Sequence, residues 1–234
     1  MLKVSELSQL YNSSYFGIST DSYIWQEKQA NPTSLAKVEF LFKGGRIGYM
    51  KSNLLNETKG VYNQNATEML NLRKICDGIL FLERDNQHFI VFLEMKSGFN
   101  DVRKKAIEQL PPSYIKLKSI LNDFVTYNKD DFREFGLIVS YPYSQPPTSS
   151  ANNQMILANK RAMVGNRIDI VKNKYSGRLR DRGQVDFIGA DFGVEQLRTV
   201  KQDLVFDRFP VRYLSVKNYS VEAVVDLDSV IVTL

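Results

Sequence analysis

Apolar residues gather most densely between Cys76 and Gly98, in CDGILFLERDNQHFIVFLEMKSG. Two runs rich in Ile, Leu, Val and Phe, Asp77 to Glu83 and His88 to Lys96, flank a polar turn and predict a β-hairpin. With Asp85-Asn86 at the centre of the turn, paired residue numbers sum to 171. Asp77 then falls opposite Glu94, and opposed Cβ atoms lie roughly 4.5–5.5 Å apart. Lys96, two residues beyond Glu94, points to the same face. That face otherwise carries Ile79, Phe81, Ile90 and Phe92, and the other carries Leu80, Leu82, Phe89, Val91, Leu93 and Met95. Strands apolar on both faces belong in the middle of a layered α/β domain. Three ionisable groups are therefore expected at the rim of a buried sheet.

The same patterning sets the other expected elements. Residues 2–11 read as a short helix, and 12–36 as a polar, irregular segment whose Tyr15, Phe16, Tyr23, Ile24 and Trp25 pack onto the body. Val38 to Met50 reads as a hairpin turning at Lys43-Gly44-Gly45, which could supply the core with a strand. Helices are expected over Asn65–Ile75, Asn100–Leu110 (ended by Pro111-Pro112), Ser113–Val125 and Met155–Val164. Glu134–Ser140 reads as a buried strand, 141–154 as a proline-containing loop, and Gln184–Ile188, Val211–Val216 and Val221–Val232 as strands. The resulting fold class is α/β, a mixed central sheet flanked by helices with a β-rich C-terminal part. Residues 1–140 form the core with an N-terminal extension, and 141–234 a basic, β-rich part packed on it. That tail could pad the sheet or form a homodimer interface.

Composition narrows the setting. The chain has 234 residues, 43% hydrophobic and 24% charged, enough apolar material for a sizeable core. One cysteine excludes an intrachain disulfide framework and suits a reducing cytoplasm. The N-terminus lacks the apolar stretch of a signal peptide, and no run reaches 18 apolar residues, so a cytoplasmic protein without a membrane partner is expected. The net charge of +5 makes an anionic partner plausible. Between Lys160 and Arg182 stand eight Lys or Arg against two Asp, a local balance of +6. Within it, Arg178, Arg180 and Arg182 sit on a Gly-flanked segment that could follow a phosphate backbone, or simply form a solvated loop. Arg103, Lys104 and Lys105, just past the hairpin, are candidates for the same role.

Two opposed carboxylates repel unless a cation lies between them, and a divalent metal or Lys96 could provide it. Asp77 followed by Glu94-Met95-Lys96 on adjacent strands, with a helix after them, resembles the PD-(D/E)xK nuclease superfamily, the restriction-endonuclease-like fold. The resemblance covers about residues 63 to 140, and Cys76 stands where the motif's name has proline. It implies a Mg²⁺-dependent nuclease, with Mn²⁺ a possible substitute, hydrolysing phosphodiester bonds in DNA, RNA not being excluded. Restriction, phage defence or repair would be the setting. It also implies roles. Asp77 and Glu94 would hold the metal, with the Met95 carbonyl a possible third oxygen. Lys96 would orient the attacking water and shield the scissile phosphate. Glu68, in the first turn of the 65–75 helix, matches an acidic position that helps bind metal in many relatives, though it would also complement the helix dipole. Gln109 resembles the helical glutamine of an exonuclease-like branch, where a tyrosine follows four residues on; here Tyr114 follows at five. Gln109 would position Lys96 or the nucleophile. The alternatives are a non-catalytic nucleic-acid-binding protein of the same fold, or a buried hairpin whose end carries a Glu94–Lys96 ion pair. The only histidine, His88, is expected at the surface, so a Ser-His or Cys-His hydrolase lacks a base.

Overall fold

The computed structural model describes residues 2–26, 37–57, 72–96, 107–140, 178–180, 184–188, 208–215 and 222–231. Among these residues, nine strands form one mixed sheet in the order β1-β2-β3-β4-β5-β8-β7-β6, with β9 paired to β2. They are β1 Phe16–Gln26, β2 Lys37–Lys51, β3 Gly78–Arg84, β4 Gln87–Lys96, β5 Arg133–Ser140, β6 Arg178–Arg180, β7 Gln184–Ile188, β8 Arg208–Ser215 and β9 Glu222–Asp226. The helices are α1 Val4–Leu10, α2 Ser52–Glu57, α3 Ile107–Leu121 and α4 Leu227–Ile231. Strands β1 to β4 run antiparallel, whereas β4, β5 and β8 run parallel.

The central hairpin follows the expected register from Gly78↔Leu93 to Arg84↔Gln87, and Asp85 supplies the positive φ (54°) of its two-residue turn. Both of its faces are buried. Ile79, Phe81, Ile90 and Phe92 share one cluster with Leu7 of α1, Leu55 of α2 and Leu110, Tyr114 and Leu117 of α3. Leu80, Leu82, Phe89, Val91, Leu93 and Met95 share the other with Val38, Phe40, Trp25 and Leu227. The second face is thus covered mainly by strands folded over it, where flanking helices were expected.

That fold-over departs from the sequence reading in two places. Residues 16–26, expected to be irregular, form the edge strand β1, whose exposed Ile18 and Ile24 and half-buried Ser22 blur any period-2 signal. Lys43-Gly44-Gly45 is not a hairpin turn. It is an extra loop within continuous β2, opposite a register shift at Thr20/Asp21, because both halves of β2 pair with β1. Gly44 adopts φ +70° and donates its amide to Asp21 Oδ1 at 2.6 Å. Rings from the two halves of β2 meet β1 together: Tyr23 stacks on Tyr49 at 4.4 Å and on Phe40 at 6.5 Å.

Two further corrections concern helices. Pro111-Pro112 does not end a helix; both prolines lie inside α3, which continues to Leu121. Each interior proline costs about 3 kcal/mol, so the two together cost about 6 kcal/mol. Against that, Leu110, Tyr114, Leu117 and Leu121 are all buried on one stripe, at about 1.5–3 kcal/mol each. Second, the expected strand 221–232 stops at Asp226, whose Oδ1 accepts the Asp228 amide and whose carbonyl accepts the Ser229 hydroxyl. Leu227, Val230 and Ile231 then recur at helical spacing and bury one face of α4. His88 is also buried, edge-on to Phe132 at 5.9 Å, because β5 covers the start of β4. Among the described residues no helix is long and apolar enough to cross a membrane.

Candidate active site

The end of the hairpin where β3 begins and β4 ends carries Asp77, Glu94 and Lys96. Glu94 and Lys96 lie on the face shared with Ile90 and Phe92, under α3, whose Tyr114 ring meets Phe92 at 5.7 Å. Asp77 is not the ladder partner of Glu94. Its amide donates to the Leu93 carbonyl at 2.9 Å, so the ladder ends one residue early. Its carboxylate replaces the missing rung: Met95 donates its amide to Asp77 Oδ2 at 2.7 Å. The side chain is thereby fixed against the strand that holds Glu94.

Glu94 is wholly buried, and its Oε1 accepts from Lys96 Nζ. Its Oε2 is buried with no hydrogen-bond partner. Burial pushes the Glu94 carboxyl well above the usual carboxylate range, and the Asp77 charge adds to the rise. Lys96, through its charge and its hydrogen bond, and the nearby Asp77 amide pull the other way. The Lys96 side chain retains 15% of its exposure, so the ammonium lies between the buried carboxylate and the rim.

The segment leading into Asp77 is held from α3. Cys76 donates its amide to Ser113 Oγ at 2.7 Å, and that hydroxyl donates to the Gln109 carbonyl at 2.8 Å. Gln109 Nε2 donates to the Ile75 carbonyl at 2.7 Å. Gln109 therefore positions the Asp77 strand, whereas the sequence placed it on Lys96 or the nucleophile. Cys76 is buried and its thiol is pushed up to about 12, chiefly by burial, which removes it as a nucleophile.

Other candidates are placed differently. Glu68, Arg103, Lys104, Lys105 and Arg182 lie outside the described residues. Arg178 and Arg180 lie on β6, at the far edge of the sheet. Two residues beside the site went unread in the sequence. Ser140, fully buried, is the register partner of Lys96 on β5, and its signal was the polar end of an apolar strand, in phase with Ile138. Ser113 was hidden by the assumption that the preceding prolines ended the helix.

The donor set fits a hard divalent cation. Among the described residues no three His, Cys, Asp or Glu converge. Two carboxylates and retained waters could hold Mg²⁺, with Glu94 Oε2, which has no hydrogen-bond partner, as one of the oxygens. Next to Asp77, a cavity of about 410 Å³ opens between the ends of β1, β2 and β3 and the start of α2. The chain matches no protein-family model, no curated protein and no solved structure.

Proposed function

We propose that the chain is a metal-dependent nuclease acting on DNA, with Asp77 and Glu94 as the metal ligands and Lys96 as the catalytic cation. The observation that supports this best is the state of Glu94. A structural ion pair buried for stability alone would satisfy both carboxylate oxygens; here Lys96 meets one and the other has no partner. The Asp77 charge raises the Glu94 carboxyl further, so the two acidic groups at the sheet rim repel beyond what Lys96 alone offsets.

Mg²⁺ held there would lower the pKa of a bound water and offset charge on the scissile phosphate. The protein groups have separate tasks. Asp77, clamped by the Met95 amide, keeps its carboxylate beside Glu94. Lys96 balances Glu94 in the resting site and, from the rim, can orient the attacking water and face the phosphate. Gln109 and Ser113 hold the backbone that carries Asp77. Glu68 would add an acidic ligand. Arg103, Lys104, Lys105, Arg178, Arg180 and Arg182 would contact the DNA backbone.

The test is incubation of the purified chain with linear and circular DNA in Mg²⁺, Mn²⁺ or EDTA. Wild type should cleave with either metal and not in EDTA, and Asp77→Asn and Glu94→Gln should not cleave. Undiminished cleavage by both variants would overturn the assignment. Binding without cleavage in either metal would leave a non-catalytic nucleic-acid-binding protein.

A further inference from the structure

The cavity beside Asp77 has a wall and a rim of different chemistry. Its wall includes Tyr23, Trp25 and Tyr49, and its rim includes Lys51, Asn53 and Asp77. The aromatic wall is rigid. Tyr49 stacks on Tyr23, and its ring end lies 2.3 Å from where a Cβ on Gly17 would stand. Only glycine at 17 lets Tyr49 occupy this position. Lys51 and Asn53 are exposed, so a cation and an amide stand at the mouth.

We propose that this cavity receives one unpaired nucleobase of the strand being cut. The inference rests on the nuclease reading and adds a substrate class to it, nucleic acid with a single-stranded, frayed or mismatched segment. A volume of about 410 Å³ falls in the range of small-molecule sites and accommodates a base with its sugar. Aromatic side chains stack bases whatever their identity, and Tyr23, Tyr49 and Trp25 all line the cavity. An amide can bond the base edge, and Lys51 can meet the adjoining phosphate. Asp77 lines the cavity and also contacts β4 through the Met95 amide, so a base held here fixes the neighbouring phosphate near Asp77 and Glu94. A base inside a duplex would first have to leave its stack, at a cost of a few kcal/mol, which disfavours intact duplex.

Trp25 is the only tryptophan in the chain and lines this cavity, so its fluorescence responds to an occupant here. In EDTA, the full chain is titrated with a twelve-residue oligothymidylate, with thymidine monophosphate and with a blunt duplex of equal length. Saturable quenching by the oligonucleotide is expected, at least tenfold tighter than by the duplex or the mononucleotide. Lys51→Ala, an exposed change unlike any core substitution, should flatten the slope of log K against log salt for the oligonucleotide by about 0.7. Equal affinity for mononucleotide and oligonucleotide would overturn a strand-borne occupant and leave a free-nucleotide site. Absence of saturable quenching by all three would overturn the proposal even if Mg²⁺-dependent cleavage is intact. Quenching in a protein that cleaves no DNA would support the cavity and refute the nuclease reading.

Discussion

Glu94 makes the metal-free protein sensitive to pH in a direction opposite to that of most carboxylates. Its carboxyl titrates higher in the folded chain than in the unfolded one, through burial first and the Asp77 charge second. The folded state therefore holds the proton more tightly. The contribution to stability is fully present below the unfolded value, near pH 4.5, and is lost as pH rises through the raised folded value. One proton gives a slope of at most about 1.4 kcal/mol per pH unit. For 234 residues, with an unfolding entropy of about 2.1 cal/mol/K per residue, that is about 3 °C in Tm per unit. Glu94→Gln keeps the shape and the acceptor for Lys96 and deletes the titration. Melting both proteins in EDTA from pH 4.5 to 8 should show their Tm curves diverging, wild type falling relative to the variant. Mg²⁺ should reverse the loss for wild type alone: at tenfold excess over Kd, binding contributes about 1.4 kcal/mol, again about 3 °C. Parallel curves in EDTA, or equal Mg²⁺ shifts in both proteins, would refute this account of the buried carboxylate.

Substitutions at three other places separate chemistry from architecture. Lys96→Met should bind DNA nearly as well as wild type but cleave on the order of 10²-fold more slowly or worse, as single-turnover assays would show. Ser113→Ala removes the acceptor for Cys76 and the donor to Gln109 inside the protein, so a loss of about 1–3 kcal/mol in denaturant unfolding is expected, together with slower cleavage. Lys118, buried on α3, pairs with Glu134 and meets Tyr127 Oη. Lys118→Met alone should cost about 3–5 kcal/mol by stranding Glu134, and Lys118→Met with Glu134→Gln should recover much of it, as a double-mutant cycle by urea melts would reveal.

The hairpin was legible because local chemistry decides it. Asp85-Asn86 sets the register, and alternating apolar side chains assign both faces. The placement of Glu94 and Lys96 on one face followed from period two alone. The position of Asp77 did not, because a single backbone bond to Leu93 ends the ladder one residue before the symmetry suggests. Long-range competition hid the rest. Lys43-Gly44-Gly45 has the composition of a turn, but pairing with residues 16–26 makes it an insertion in a continuous strand. Pro111-Pro112 has the composition of a stop, but four buried side chains on one stripe carry α3 through it. Trp25, Tyr49 and Lys51 share a cavity only after β1 and β2 bend over the sheet, which no local pattern announces.

The pairing of β2 with β9 has a consequence for how the chain is made. Lys37 meets Glu222 across 185 positions, and the parallel ladder between the two strands includes Val38↔Ala223 and Phe40↔Val225. Closing that span costs about 2.6 kcal/mol more loop entropy than closing ten residues. On a ribosome adding 5–20 residues per second, the first half of β2 waits on the order of 10–40 s for its partner. Meanwhile its unpaired edge, in VEFLF, is an open template for a neighbouring chain. Translation cut short before Glu222 therefore leaves Val38, Phe40 and Phe42 without part of their cover, and such fragments should precipitate or engage chaperones. β9 thus acts as the closing seam for a strand laid down 185 positions earlier.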